Sequence, residues 1–414
     1  MKKVGYILLD GCSDRPVPSL NYSTPLEVAN TPNLDKIART SKMGRVITVG
    51  RGISPESDIA VFNMLGYSFE KGYPGRGVIE SIGAGIDFRD GDLALRANFA
   101  TRTDGKITDR RAGRDMTSDD AETLQEELKK VRVPDAEFEF RSTIGHRAVL
   151  VIRADGELSA EISNTDPGYV RMKGFGAAAA AKDVEAIQTC KPLDKARASR
   201  RAAELVNAFS TQAMRILDEA KVNKERRREG KKAANMLLFR DAGSFIPKLP
   251  SFEEKHGYKG VALVEMPAEV GIAQLLNMRM VKVDDPADVA AKARLFKREM
   301  KDGTVVYAHI KGPDEFGHDG DAMGKRKNIE GIDEDFFSTI SELLPDGPTI
   351  AISCDHATPC ILKMHSADPV PLAISGKKGP EDAGSCRFTE KDAKRGSLGT
   401  LAGKRVLSTV LSSE

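Results

Sequence analysis

Histidine and cysteine are both scarce in this chain, and each scarcity narrows the reading. Five cysteines (Cys12, Cys190, Cys354, Cys360, Cys386) are odd in number and irregularly spaced, which indicates neither a disulfide framework nor a zinc ribbon and suits a reducing cytoplasm. Net charge is nearly absent. Against 61 acidic residues stand 63 Lys and Arg, and the resulting +2 provides no global field to draw the chain to nucleic acid or to an anionic membrane. Long apolar runs are missing as well: Val4 to Leu9 is too short for a signal-peptide core and stops at Asp10, and no stretch approaches the ~20 residues of a membrane-spanning helix. What remains, 40% hydrophobic and 30% charged, describes an ordinary globular protein whose 414 residues suffice for two domains, each with its own core.

The 6 histidines are unevenly placed, and three of them, His318, His356 and His365, crowd into the last quarter of the chain. Asp314 precedes His318 by four residues in a glycine-bounded segment read as a loop, directly after the apolar run Thr304 to Tyr307. Asp355-His356 follows the apolar run Thr349 to Ser353, at a strand end where open α/β sheets hold their ligands. A single Asp–His pair is more often a loop-end hydrogen bond than a ligand set. Three such elements, together with Asp10-Gly11 at the end of the first strand, indicate a metal-dependent phosphoester enzyme. Carboxylate and imidazole without thiolate suit Mn²⁺, Zn²⁺ or Co²⁺ better than Ca²⁺ or an iron–sulfur cluster.

Strand and helix alternate along the first 65 residues. Thr31 and Pro32 open a helix that buries Leu34, Ile37 and Ala38; Arg45 to Val49 is a strand; and the loop Gly50 to Pro55 leads into a helical pattern from Ser57 to Leu65. Ser57 is thereby placed at a helix N-terminus, where free N–H groups and the dipole favour an alkoxide and cradle a phosphate. Ser54 competes as cap and as nucleophile, and spacing does not choose between them. From Tyr67 the texture changes to glycine-rich turns and short strands, consistent with a small α+β unit at 66–189 inserted into a core made of 1–65 and 190–414. The alanine run Ala177 to Ala181, with nearby glycines, marks a hinge or linker region. A helix from Lys195 to about Lys221 precedes the run Lys224 to Lys232, read as a solvated charged face. Asp109-Arg110-Arg111-Ala112-Gly113-Arg114 is a candidate clamp, since guanidinium groups bind carboxylate and phosphate bidentately; its plainer reading is an exposed salt-bridged turn.

These stretches also carry a family resemblance. Asp10-Gly11 with Asp14-Arg15-Pro16, Thr24-Pro25-Leu26-Glu27, Thr31-Pro32-Asn33-Leu34-Asp35, Pro55-x-Ser57-Asp58, Gly75-Arg76-Gly77, Asp109-Arg110-Arg111-Ala112-Gly113-Arg114, Lys311-Gly312-x-Asp314, Gly317-His318-Asp319-Gly320, Asp355-His356-x-Thr358-Pro359 and His365-Ser366-x-Asp368-Pro369 resemble the archaeal-type cofactor-independent phosphoglycerate mutases over nearly the whole chain. The resemblance implies an alkaline-phosphatase-like α/β core sheet with helices on both faces and an inserted cap. It further implies interconversion of 2-phosphoglycerate and 3-phosphoglycerate through a phosphoserine on Ser57 rather than Ser54. Two divalent ions are implied, Mn²⁺ first and Zn²⁺ or Co²⁺ as alternatives: one held by Asp314, His318 and His365, the other by Asp10, Ser57, Asp355 and His356. Asp109, Arg110, Arg111 and Arg114 would bind substrate. Neither a nucleic-acid nor a membrane partner is expected, and a related metal-dependent phosphomonoesterase or small-molecule phosphotransferase is the rival reading.

Overall fold

A computed structural model describes residues 2–69, 72–172, 175–178, 185–376 and 386–412. The chain forms two compact units, one of Met1–Glu70, Leu249–Glu265 and Leu275–Glu414, the other of Lys71–Lys248 and Met266–Gln274.

In the first unit, near-continuous apolar runs become strands covered on both faces: Val4–Leu9, Thr304–Ile310 and Thr349–Cys354 are buried at every position. The eight-stranded sheet runs in the spatial order Arg279–Lys282, Lys259–Val264, Thr304–Ile310, Val4–Leu9, Thr349–Cys354, Val370–Ser375, Ser41–Ile47, Thr400–Ala402. Only Val370–Ser375 runs antiparallel to its neighbours. Register decides what happens at the carboxyl edge. Leu9 lies opposite Ile310 on one side and Cys354 on the other, so Asp10, Lys311 and Asp355 leave three adjacent strands at one level.

The segment holding Asp314 and His318, expected as a loop, is a helix, Pro313–Asp319. Pro313 suits its first turn, and Gly320, at φ 76°, ends it in the left-handed conformation. Its glycines misled the composition argument. Gly317 sits inside the helix because a Cβ there would lie 2.4 Å from the Thr358 carbonyl oxygen. Four residues apart on a helix, Asp314 and His318 share one face. Ser57 is the first residue of the helix Ser57–Met64, as the sequence pattern indicates.

The second unit is built on Leu93–Thr103, which pairs antiparallel with Arg147–Ala154 and with Met236–Gly243, while Ala136–Ser142 extends the sheet. The helix Arg197–Glu219 buries Leu205, Val206, Phe209, Ala213 and Leu217 in the same core as Phe99, Phe140 and Phe239. This corrects the expected boundary: 190–248 belongs with the second unit rather than with the core. The physical reason is the backbone ladder from Met236–Gly243 to Leu93–Thr103 and the apolar stripe that closes over it. Residues 266–274 join the same unit because Gly83 and Gly271 let two helices touch; a Cβ on Gly83 would meet Pro267 O at 1.8 Å. Of the expected hinge at 177–181, residues 177 and 178 close the strand Phe175–Ala178, and 179–181 lie outside the described residues. The basic run is not uniformly solvated. Arg226 is 3% exposed and holds Asp115, Asp120 and the carbonyl oxygen of Ala112, whereas Lys221, Lys224, Arg227 and Arg228 are exposed.

Candidate active site

The segments that follow Val4–Leu9, Thr304–Ile310 and Thr349–Cys354 at the carboxyl edge of the sheet bring Asp10, Asp314, His318, Asp355, His356 and His365 into the first unit's site. Asp10, Asp355 and His356 form one group and Asp314, His356 and His365 a second, the ligand atoms in each lying within 4.8 Å of one another. His356 belongs to both. Its Nε2 is 3.4 Å from Asp10 Oδ1, 3.3 Å from Asp355 Oδ2 and 3.1 Å from Ser57 Oγ. His318 stands beside the second group, its Nε2 3.5 Å from Asp314 Oδ2 and 3.3 Å from His365 Nε2. Ser54 lies exposed in the loop that precedes Ser57.

Hydrogen bonds behind the rings orient them. His318 Nδ1 is 3.1 Å from Lys363 O and His365 Nδ1 is 2.8 Å from Pro55 O; carbonyl oxygens only accept, so each Nδ1 carries its proton and donates. In neutral rings the two Nε2 lone pairs would face each other across 3.3 Å. Such a convergence is unfavourable unless a positive charge lies between them. The carboxylates make the same demand: Asp10 Oδ1 and Asp355 Oδ2 are buried with no hydrogen-bond donor aligned on them. Oriented imidazoles, buried carboxylate oxygens and the absence of thiolates fit hard or borderline divalent cations.

The field points the same way. Burial pushes Asp10 up, but Lys311, His356 and His309 outweigh it and hold the carboxyl well below the usual range. Asp314 is likewise held low, mainly by His365 and His356 against burial and the charge of Asp10. Burial would lower His365, yet its contact with Asp314 raises it to about 10. The site therefore claims a positive charge at that point, and a bound cation would displace the proton.

Sequence reasoning missed three participants. Lys311 Nζ is 3.1 Å from Asp10 Oδ2, and the buried His309 places Nε2 3.3 Å from Asp355 Oδ2. The Thr358 hydroxyl lies between Asp314 and His356. His309 lies in a strand buried at every position and Lys311 just beyond it, so no alternation in the sequence marked either one.

In the second unit the predicted arginine turn joins a larger cationic cluster. Arg110 binds the fully buried Asp166 at 2.7 Å, Arg240 reaches the same carboxylate at 3.1 Å, and both guanidiniums flank the Tyr169 ring, at 5.0 and 4.4 Å from its centroid. Arg96 is paired with Glu80 and Asp241. Desolvation, then the neighbouring Arg114, lowers Arg111, and desolvation with Arg147, Arg111, Arg240 and Arg114 lowers His146 to about 3. Cations crowded to this degree favour an anionic ligand. Asp109, by contrast, turns to Lys232 Nζ and to the N–H of Arg111, both at 2.7 Å, so it shapes the turn. Ala112, Gly113 and Arg114 all have positive φ, a strained run braced by Arg226.

Fold and site together define a mixed α/β protein in which two carboxylate–imidazole groups converge on a serine at a helix N-terminus. The profile of the 2,3-bisphosphoglycerate-independent phosphoglycerate mutases matches residues 38–223. The mutase of that name from Aeropyrum pernix is 40% identical over 99% of each chain, and that from Methanopyrus kandleri is 37% identical over 99% of this chain and 96% of its own. Among solved structures, the cofactor-independent phosphoglycerate mutase of Thermoplasma acidophilum is 32% identical with a TM-score of 0.62, covering 99% of both chains. The chain belongs to the 2,3-bisphosphoglycerate-independent phosphoglycerate mutase family.

Proposed function

We propose that this protein interconverts 2-phosphoglycerate and 3-phosphoglycerate through a phosphoserine on Ser57, without 2,3-bisphosphoglycerate. The observation that carries the reading is the Ser57 hydroxyl at the first turn of its helix, 3.1 Å from His356 Nε2 and beside both carboxylate–imidazole groups. Asp314, His318 and His365 would hold one divalent ion, and Asp10, Ser57, Asp355 and His356 the other. Such ions, Mn²⁺ first and Zn²⁺ or Co²⁺ as alternatives, supply Lewis-acid stabilisation of phosphoryl oxygens and a lowered hydroxyl pKa.

The remaining work falls to the chain's own groups. The N-terminal end of the helix Ser57–Met64, with its dipole, would favour a phosphate on Ser57, and Lys311 adds a fixed positive charge beside Asp10. A mutase must also keep glycerate bound while its other hydroxyl takes the phosphate back, which calls for a grip on the carboxylate and exclusion of water. Arg110, Arg111 and Arg114 are assigned that grip, supported by the excess of cations around them, with Asp109 bracing their turn. The inserted unit is thus given the substrate-holding role, and five cysteines outside any disulfide suit a cytoplasmic setting. Among the described residues no helix is long and apolar enough to cross a membrane.

The test is phosphorus NMR of the full chain with Mn²⁺ and 3-phosphoglycerate and no 2,3-bisphosphoglycerate. Formation of 2-phosphoglycerate with little orthophosphate is expected. Orthophosphate alone would make the protein a hydrolase, and turnover or a phosphoenzyme surviving in Ser57→Ala would move the nucleophile elsewhere.

A further inference from the structure

The geometry points to Thr358 as a positioning residue that links the two metal-holding groups and makes them act as one. The inference rests on the two-metal phosphoryl-transfer reading and adds a residue that reading does not use. Thr358 is fully buried, and its one hydroxyl proton has a single destination: Asp314 Oδ1, an oxygen that can only accept, lies 2.6 Å away. His356 Nδ1, 3.1 Å from the same hydroxyl, must then be the donor to its lone pair.

That short chain determines the tautomer of His356. With the proton on Nδ1, the Nε2 lone pair faces Ser57, Asp10 and Asp355, the orientation a cation ligand needs. The same chain joins Asp314, assigned above to one ion, to His356, assigned to the other. A cation that draws charge from Asp314 weakens its hold on the hydroxyl proton, which alters the polarisation of the Thr358 oxygen and the hydrogen bond it accepts from His356 Nδ1. Occupancy of one group thus changes affinity at the other.

The rest of Thr358 is held independently of its hydroxyl. Its N–H donates to Ser13 O at 3.1 Å, and its carbonyl oxygen accepts from the buried Lys325 Nζ at 2.9 Å. A Cβ on Gly11 would meet Thr358 Oγ1 at 2.6 Å, so a glycine at position 11 leaves room for the hydroxyl to reach Asp314. Thr358→Val, nearly isosteric, therefore removes the link and leaves the loop.

The experiment is calorimetric titration of the metal-stripped full chain with Mn²⁺, comparing wild type with T358V, T358A and T358S, each checked by a metal-free thermal melt. Wild type and T358S are expected to bind two ions with coupled heats. T358V and T358A should bind at least one ion roughly 10- to 100-fold more weakly, with the coupling lost, while the metal-free melts stay close to wild type. Unchanged affinity and coupling in both hydroxyl-free variants would overturn the inference while leaving the mutase reading intact. A T358S variant as weak as T358V would also overturn it, by assigning the effect to the methyl group. If the wild-type chain bound no Mn²⁺, the metal-dependent reading would fall together with the inference.

Discussion

Replacing Lys325 by Met should destabilise the first unit more than any surface charge change and should do so for a reason a second substitution can reverse. The Lys325 ammonium and the Asp14 carboxylate are both fully buried, 2.9 Å apart, and Lys325 also donates to Ser13 O at 3.3 Å and Thr358 O at 2.9 Å. Removing one member of such a pair leaves a buried charge and typically costs 3–5 kcal/mol. Asp14 still accepts from the N–H groups of Arg15 at 2.8 Å and Cys360 at 3.1 Å, so the lower end, about 3 kcal/mol, is expected. Met matches the lysine stem in volume, which keeps a cavity term out of the result. Asp14→Leu combined with Lys325→Met removes both charges and should recover most of the loss. Urea unfolding followed by far-ultraviolet circular dichroism measures both. The reasoning fails if K325M stays within about 1 kcal/mol of wild type, or if the double variant is no more stable than the single.

Gly11→Ala should damage the site more than the fold: Gly11 has φ +55°, costing an alanine roughly 1–2 kcal/mol, and the new Cβ would lie 2.6 Å from Asp314 Oδ1, so Mn²⁺ affinity by calorimetry should fall sharply while the protein still folds. Burial raises Glu80, but Arg96 and Arg76 bring it down to about 2. Its folded pKa thus lies below the unfolded one, so its contribution is present above pH 4.5, on the order of 3 kcal/mol, and disappears as pH falls towards 2. Acid unfolding of Glu80→Gln should accordingly show a shallower slope in that window, and an unchanged slope would count against the assignment. Arg111→Ala should raise the KM for 3-phosphoglycerate by about tenfold or more, the worth of one charge-assisted hydrogen bond; unaltered KM and kcat would remove Arg111 from the substrate grip.

Local sequence carried the chemistry because ligand chemistry is written in residue type. Asp10, Asp314, His318, Asp355, His356 and His365 could each be picked out as candidates by residue type, spacing and position after an apolar run, whereas the choice of Ser57 over Ser54 came from the family resemblance and not from the helix pattern. Their surroundings were not legible in the same way. His309 and Lys311 sit in or beside a strand that reads as core, and Thr358 is one hydroxyl among many until its distances to Asp314 and His356 are known. The boundary at 190–248 failed for a related reason. A strand such as Met236–Gly243 has the same apolar pattern whichever sheet it joins, and only its ladder to Leu93–Thr103 assigns it.

By itself, then, the sequence determined the α/β alternation, the set of candidate ligands and a serine at a helix N-terminus, all of which follow from properties of short segments: burial period, capping and side-chain chemistry. Tertiary structure alone decided the register that brings Asp10, Lys311 and Asp355 to one level, the placement of His356 in both groups, and the gathering of Arg110 and Arg240 around Asp166. Those depend on pairings between residues as much as 345 positions apart, as for Asp10 and Asp355, and such pairings are set by packing and hydrogen-bond register that no local pattern encodes.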